Sequence, residues 1–117
     1  MYGGITIKNQ DLHKYKVIAQ KIEQEIFLQK YVPNYPLPSI RKYAQKYNVA
    51  PATVSRALLV LEQREIIYNL RTSRYRISKN IEQKRQEIAK QETFNLLKKL
   101  HGLGFTDNEI MQMIIKH

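Results

Sequence analysis

Between Leu12 and Lys30, apolar residues recur at Tyr15, Ile18, Ala19, Ile22 and Ile26. This three-and-four spacing predicts a helix with one buried face, and Asp11 is placed to cap it. Three of the four prolines then fall between Tyr31 and Pro38. Each removes a backbone donor and fixes its own torsion, so an extended, stiff connection follows the first helix. The stripe resumes at Ile40, Tyr43, Ala44 and Tyr47 behind Ser39, an N-cap residue, which predicts a second helix from about Ile40 to Tyr47. Asn48 and Val49 make a short turn, and Pro51 suits the first position of a third helix, where its missing N–H would be unpaired anyway. Val54, Ala57, Leu58 and Leu61 form the third stripe, and Ala52, Thr53, Ser55 and Arg56 the small, polar face opposite.

Two short helices joined by a tight turn, the second able to approach a surface closely, are the arrangement of a helix-turn-helix. Beyond Arg64 the period changes. Ile66, Ile67 and Tyr68 are strand formers, and Tyr75 and Ile77 alternate with Arg74, Arg76 and Ser78, which predicts a hairpin closing on Asn69 to Ser73. Its loop and outer face carry Arg71, Arg74 and Arg76, so the expected fold is a winged helix-turn-helix. Helical spacing returns from Ile81 through Ile88, Phe94, Leu97 and Leu100 and stops at Gly102 and Gly104. Thr106 and Glu109 then form a capping box for a last helix bearing Ile110, Met113 and Ile114. The fold class expected is mainly α with a small β-hairpin: a winged helix-turn-helix over residues 1–79 and a two-helix tail over 80–117.

Charge narrows the partner. Of 117 residues, 20 are Lys or Arg and 10 are acidic, a net charge of +10. Residues 39–79 alone hold nine of the basic groups and two of the acidic ones. A basic patch that coincides with a helix-turn-helix and wing points to double-stranded DNA. The chain has no cysteine, hence no disulfide framework, thiolate zinc site or thiol nucleophile, and a reducing, cytoplasmic setting is expected. No apolar run approaches the length of a membrane span, and Met1 to Gln10 lack a signal-peptide core. His13, His101 and His117 are scattered, and no nucleophile elbow or phosphate-binding glycine loop occurs. Neither an enzyme nor a metal or cofactor site is expected.

Arg41 and Arg56 are the leading contact residues, because a guanidinium offers a planar fork of donors that matches a guanine edge or a phosphate. Thr53 and Ser55 bring hydroxyls that reach phosphates or bases without holding the backbone away from the groove. Tyr43 and Tyr47 read as core residues with hydroxyls at the rim. The tail's apolar residues, Ile88, Phe94, Leu97, Leu100, Ile110, Met113 and Ile114, lie in too short a segment to cover themselves, so a second copy of the chain is expected over them. The alternative from another class is a basic structural protein that binds nucleic acid without sequence preference.

The run Leu37-Pro38-Ser39-Ile40-Arg41-Lys42-Tyr43-Ala44, then Asn48-Val49-Ala50-Pro51-Ala52-Thr53-Val54-Ser55-Arg56-Ala57-Leu58 and Leu61-Glu62, resembles the winged-helix domain of GntR-family transcription regulators. That family shows L-P-S-x-R-x-L-A, V-[SN]-x-x-T-V-x-x-A and L-E-x-x-G-L-I. The short tail is similar to that of the YtrA subfamily, whose tails dimerise. The resemblance implies DNA contacts from Ser39 and Arg41 and from Ala52, Thr53, Ser55 and Arg56, and Lys42, beside Arg41, is expected to contact DNA as well. It implies a homodimeric regulator, and a repressor is expected; any small-molecule effector is left open. The sequence departs from the family at Asn34 and Glu65, which stand at usual glycines, at Ala50, which replaces a polar cap, and at Thr72 to Ile77, where the wing glycines are absent.

Overall fold

The computed structural model describes residues 2–70 and 74–117, with side chains described from His13 onward. Five helices and one hairpin follow in the order α1 (Tyr2–Leu28), α2 (Ile40–Tyr47), α3 (Pro51–Gln63), β1 (Ile67–Asn69), β2 (Tyr75–Ile77), α4 (Ile81–Gly102) and α5 (Asp107–Lys116). The chain divides into two compact units, one ending at Ile81 and one covering Glu82–His117.

In the first unit α1 and α2 pack on α3. The three expected stripes supply the core: Ile18, Ala19, Ile22 and Ile26 from α1, Tyr43 and Ala44 from α2, and Val54, Ala57, Leu58 and Leu61 from α3 are all buried. Leu37, Ile66, Ile67, Ile77 and Ile81 complete it. Asp11 is not a cap, because α1 begins at Tyr2 and runs through it. Extending an already nucleated helix fixes one residue per hydrogen bond gained, so a weak stop signal does not hold. Ser39 does cap α2, its Oγ accepting from the Lys42 amide at 3.2 Å.

Four helices end in the same way. The amides of Tyr31, Val49, Ile66 and Phe105 donate to the carbonyls of Ile26, Ala44, Leu61 and Leu100, and those of Lys30, Asn48, Glu65 and Gly104 to Phe27, Gln45, Glu62 and His101. These paired bonds are Schellman closures, which need a left-handed residue after the helix. Lys30 (φ 53°), Asn48 (φ 53°), Glu65 (φ 61°) and Gly104 (φ 88°) occupy those positions. A β-carbon makes that conformation strained, so Glu65→Gly is expected to stabilise the fold by about 0.5 to 1 kcal/mol, a gain partly offset by the freer unfolded chain. Thermal denaturation should show a melting temperature higher by about 3 °C. A fall would mean that the Glu65 side chain contributes more than its backbone costs.

The hairpin pairs Ile67 with Ile77, Tyr68 with Arg76 and Asn69 with Tyr75, antiparallel. The loop beyond it contains Arg71, which lies outside the described residues. The proline-rich connection is more than a spacer. Asn34 N donates to Ile77 O (2.8 Å), Ile77 N to Tyr35 O (2.9 Å) and Leu37 N to Tyr75 O (2.9 Å), so residues 34–37 run along β2 as a third edge. Prolines Pro33, Pro36 and Pro38 alternate with these hydrogen-bonding positions, which is how an edge tolerates them. Two expectations for this region change. Ile66 belongs to the helix closure and not to the strand, and Ser78, expected on the outer face, is buried, its hydroxyl donating to Glu65 O as the chain turns towards α4.

In the second unit Thr106 and Glu109 form the capping box, with Oγ1 accepting from the Glu109 amide (3.2 Å) and the carboxylate from the Thr106 amide (2.9 Å). His101 and Asp107 pair at 2.6 Å across the α4–α5 corner. Ile110 is buried, at 2% exposure, whereas Phe94, Leu96, Leu103, Met111, Ile114 and Ile115 are exposed. Leu100, Ile110, Met113, Ile114 and His117 line an open groove of about 260 Å³.

Candidate nucleic-acid interface

The acidic side chains of the helical core are spent on holding it together. Glu25 of α1 pairs with Lys46 and accepts from the Tyr43 hydroxyl at 3.0 Å and the Tyr31 hydroxyl at 3.4 Å, which ties α1 to α2 and to the loop between them. Glu23 pairs with Arg64 at the end of α3, and Glu62 accepts from the Tyr75 hydroxyl at 3.3 Å. Tyr43 is fully buried and stacks on Tyr47, with ring centroids 6.1 Å apart, so the two tyrosines of α2 serve the core and its rim. Burial, and then the nearby Glu25 carboxylate, push the Tyr43 hydroxyl well above its ordinary pKa; the same two influences raise Tyr31. Lys46 is raised chiefly by its hydrogen bond to Glu25.

All three shifts have one sign. A folded-state pKa above the unfolded value contributes stability that is complete below the unfolded value and is lost as pH rises through the folded one. Denaturant midpoints are therefore expected to stay level towards pH 9 and to fall once pH passes about 10, where unfolded tyrosines ionise. Tyr43→Phe should cost about 1 kcal/mol near neutrality, by losing a hydrogen bond, and should make the alkaline decline shallower. An unchanged alkaline decline would show that another group governs it.

With those acids paired, Arg41, Lys42, Arg56 and Arg74 are exposed and meet no acidic partner among the described residues. Ser39, Arg41 and Lys42 stand together at the start of α2, and Ser39 is half-buried by its capping role. On α3, Ala52, Ser55 and Arg56 are exposed and Thr53 is half-buried. Ala50 caps α3 with no side-chain hydrogen bond, which leaves the first-turn amides without a side-chain acceptor, the condition under which a helix start attracts phosphate. Arg74 lies at the base of the hairpin loop.

Arg76 is placed otherwise than expected. It is half-buried, and its guanidinium donates to the Asn34 carbonyl at 3.0 Å, with the Asn34 side chain accepting from the Tyr68 hydroxyl at 2.6 Å. Asn34 has a φ of 67°, which asparagine tolerates where the family has glycine, and its amide side chain adds a tie that glycine could not. Arg76 thus clamps the hairpin to the connection. Sequence reasoning also missed the surroundings of Arg56. Tyr15, expected on the buried stripe of α1, is half-buried, and the Arg56 guanidinium carbon lies 4.3 Å from its ring centroid. Helical periodicity puts each residue on a face but does not reveal a pair between distant helices.

Three helices with α3 presenting a small, cationic face, followed by a hairpin, define a winged helix-turn-helix of the DNA-binding kind. The sequence profile of the bacterial regulatory proteins of the gntR family matches residues 14–77, and the chain belongs to that family. A GntR family transcriptional regulator from Listeria monocytogenes has 35% identity and a TM-score of 0.77, over 88% of this chain and 93% of that one. The HTH-type transcriptional regulator YcxD of Bacillus subtilis is 38% identical over 68 residues, and the chain spans only 15% of its length. YtrA from Sulfolobus acidocaldarius, at 24% identity and a TM-score of 0.56 over 87% of this chain and 84% of its own, shares the fold. Family and fold are those of transcription regulators and not of enzymes. Among the described residues no helix is long and apolar enough to cross a membrane, and no cluster of His, Asp or Glu could hold a metal ion.

Proposed function

We propose that this GntR-family chain is a homodimeric repressor that binds a palindromic operator. In this reading α3 enters the major groove, with Ala52, Thr53, Ser55 and Arg56 towards the bases. Ser39, Arg41 and Lys42 meet the phosphates at the start of α2, and Arg71 and Arg74 reach the flanking backbone or minor groove. The observation that carries it is the division of charge: Glu23, Glu25 and Glu62, which pack against the helical core, are paired, while Arg41 and Lys42 of α2, Arg56 of α3 and Arg74 of the hairpin are exposed and meet no acidic partner among the described residues. Bound at a promoter, such a protein represses by excluding polymerase.

Dimerisation rests on the second unit. Phe94 is 60% exposed and Ile114 59%, with Leu96, Leu103, Met111 and Ile115 open as well, more apolar surface than a segment of this size leaves bare without a partner. Residues 1–79 then act as the DNA-binding part and 80–117 as the dimerisation part. Selection from a random duplex pool tests the operator. An inverted repeat with half-sites about 10 bp apart, or a multiple of that, is expected. Binding with no preferred sequence would instead identify a basic structural protein, whose affinity comes from counterion release alone.

A further inference from the structure

Arg56 projects from α3 on the side opposite the buried Val54, Ala57, Leu58 and Leu61, and it is exposed. It is nevertheless not a loose side chain. Its guanidinium carbon sits over the Tyr15 ring at 4.3 Å from the centroid, inside the roughly 6 Å range of a cation–π contact. Tyr15 is half-buried and precedes by one turn the buried Ile18 and Ala19 that seat α1 in the core. The other candidate arginines are held differently. Arg76 is committed to the Asn34 carbonyl, and Arg41 has no partner among the described residues.

A guanidinium centred over a ring at this distance still has N–H donors free for a second acceptor. Its N–H donors lie in the plane and point outward from the edge, which is the geometry that a guanine O6 and N7 accept in a bidentate pair. The stack also gives up, before DNA arrives, rotamer freedom that an unsupported arginine loses on docking. We propose that Tyr15 is a positioning residue that, by holding the Arg56 guanidinium over its ring, presents Arg56 to a base edge. The inference rests on the reading of α3 as the groove-facing helix.

The test uses the full-length protein and the duplex that the wild type selects from a random pool, with fluorescence anisotropy as the readout. Tyr15→Leu is expected to weaken binding about fivefold to tenfold and to relax preference at one base pair, while Tyr15→Phe, which keeps the ring face, stays within about twofold. In an Arg56→Ala background Tyr15→Leu should change nothing further. Tyr15→Leu binding as tightly as wild type while Arg56→Ala binds weakly would overturn the inference, as would an equal loss in both backgrounds. A wild-type protein that selects no sequence would overturn the underlying reading instead. Should Tyr15→Leu fold poorly, the free wild-type protein decides: Arg56 side-chain proton resonances shifted upfield by the Tyr15 ring support the stack, and unshifted ones overturn it.

Discussion

A chain ending at Ile81 is expected to fold, to remain monomeric, and to bind operator at least about a hundredfold more weakly than the full chain. Folding should survive because the buried side chains of α1 to β2, together with Ile81, lie within that unit. The cut belongs after Ile81, which is 8% exposed and counts with the core, and not after Lys79, where the boundary expected from the sequence would put it. Affinity should collapse because two linked DNA-binding units act at an effective concentration in the millimolar range for each other's half-site, whereas separate units must bind independently. Sedimentation equilibrium and anisotropy titration read the two halves of the expectation separately. Equal affinity in both forms, or an intact chain that is monomeric at tens of micromolar, would remove the dimer from the mechanism.

Ala52→Glu is expected to abolish operator binding, by about a hundredfold or more, with no loss of stability. Ala52 is exposed and sits second in α3, after Pro51, so a longer side chain meets no core atoms. A carboxylate in the first turn interacts favourably with the helix dipole, worth about 0.3 to 1 kcal/mol, which balances the slightly poorer helix propensity of glutamate. In a major groove walled by phosphates the same carboxylate brings a like charge into the interface, and like charges brought together there cost several kcal/mol. Ala52→Gln separates charge from bulk and should lose far less affinity. The two readouts move independently, so a misfolded variant is not mistaken for a non-binding one. Should Ala52→Glu bind as tightly as wild type, the start of α3 does not face DNA.

Much of this molecule is set locally. The stripes of α1, α2 and α3 appear in the sequence because burial selects for apolar residues at helical spacing, and the expected stripe residues from Tyr15 to Leu61 are buried apart from Tyr15, Ile40 and Tyr47 at the rim. Caps and stops are equally local: Ser39, Pro51, Gly104 and the Thr106–Glu109 box act through hydrogen bonds or torsions within a few residues. The family motifs lie in those same segments, since a docking helix and its capping turn must be built from adjacent residues. Non-local pairings follow another rule. That residues 34–37 edge the hairpin, that Arg76 binds Asn34 and leaves the outer face, and that Arg56 rests on Tyr15 each depend on residues far apart in sequence meeting in the folded chain. Periodicity carries no register between distant segments. The chain by itself therefore determined the helices, their buried faces and the location of the positive charge, and the tertiary structure decided which basic side chains serve the fold and which stay exposed without an acidic partner among the described residues.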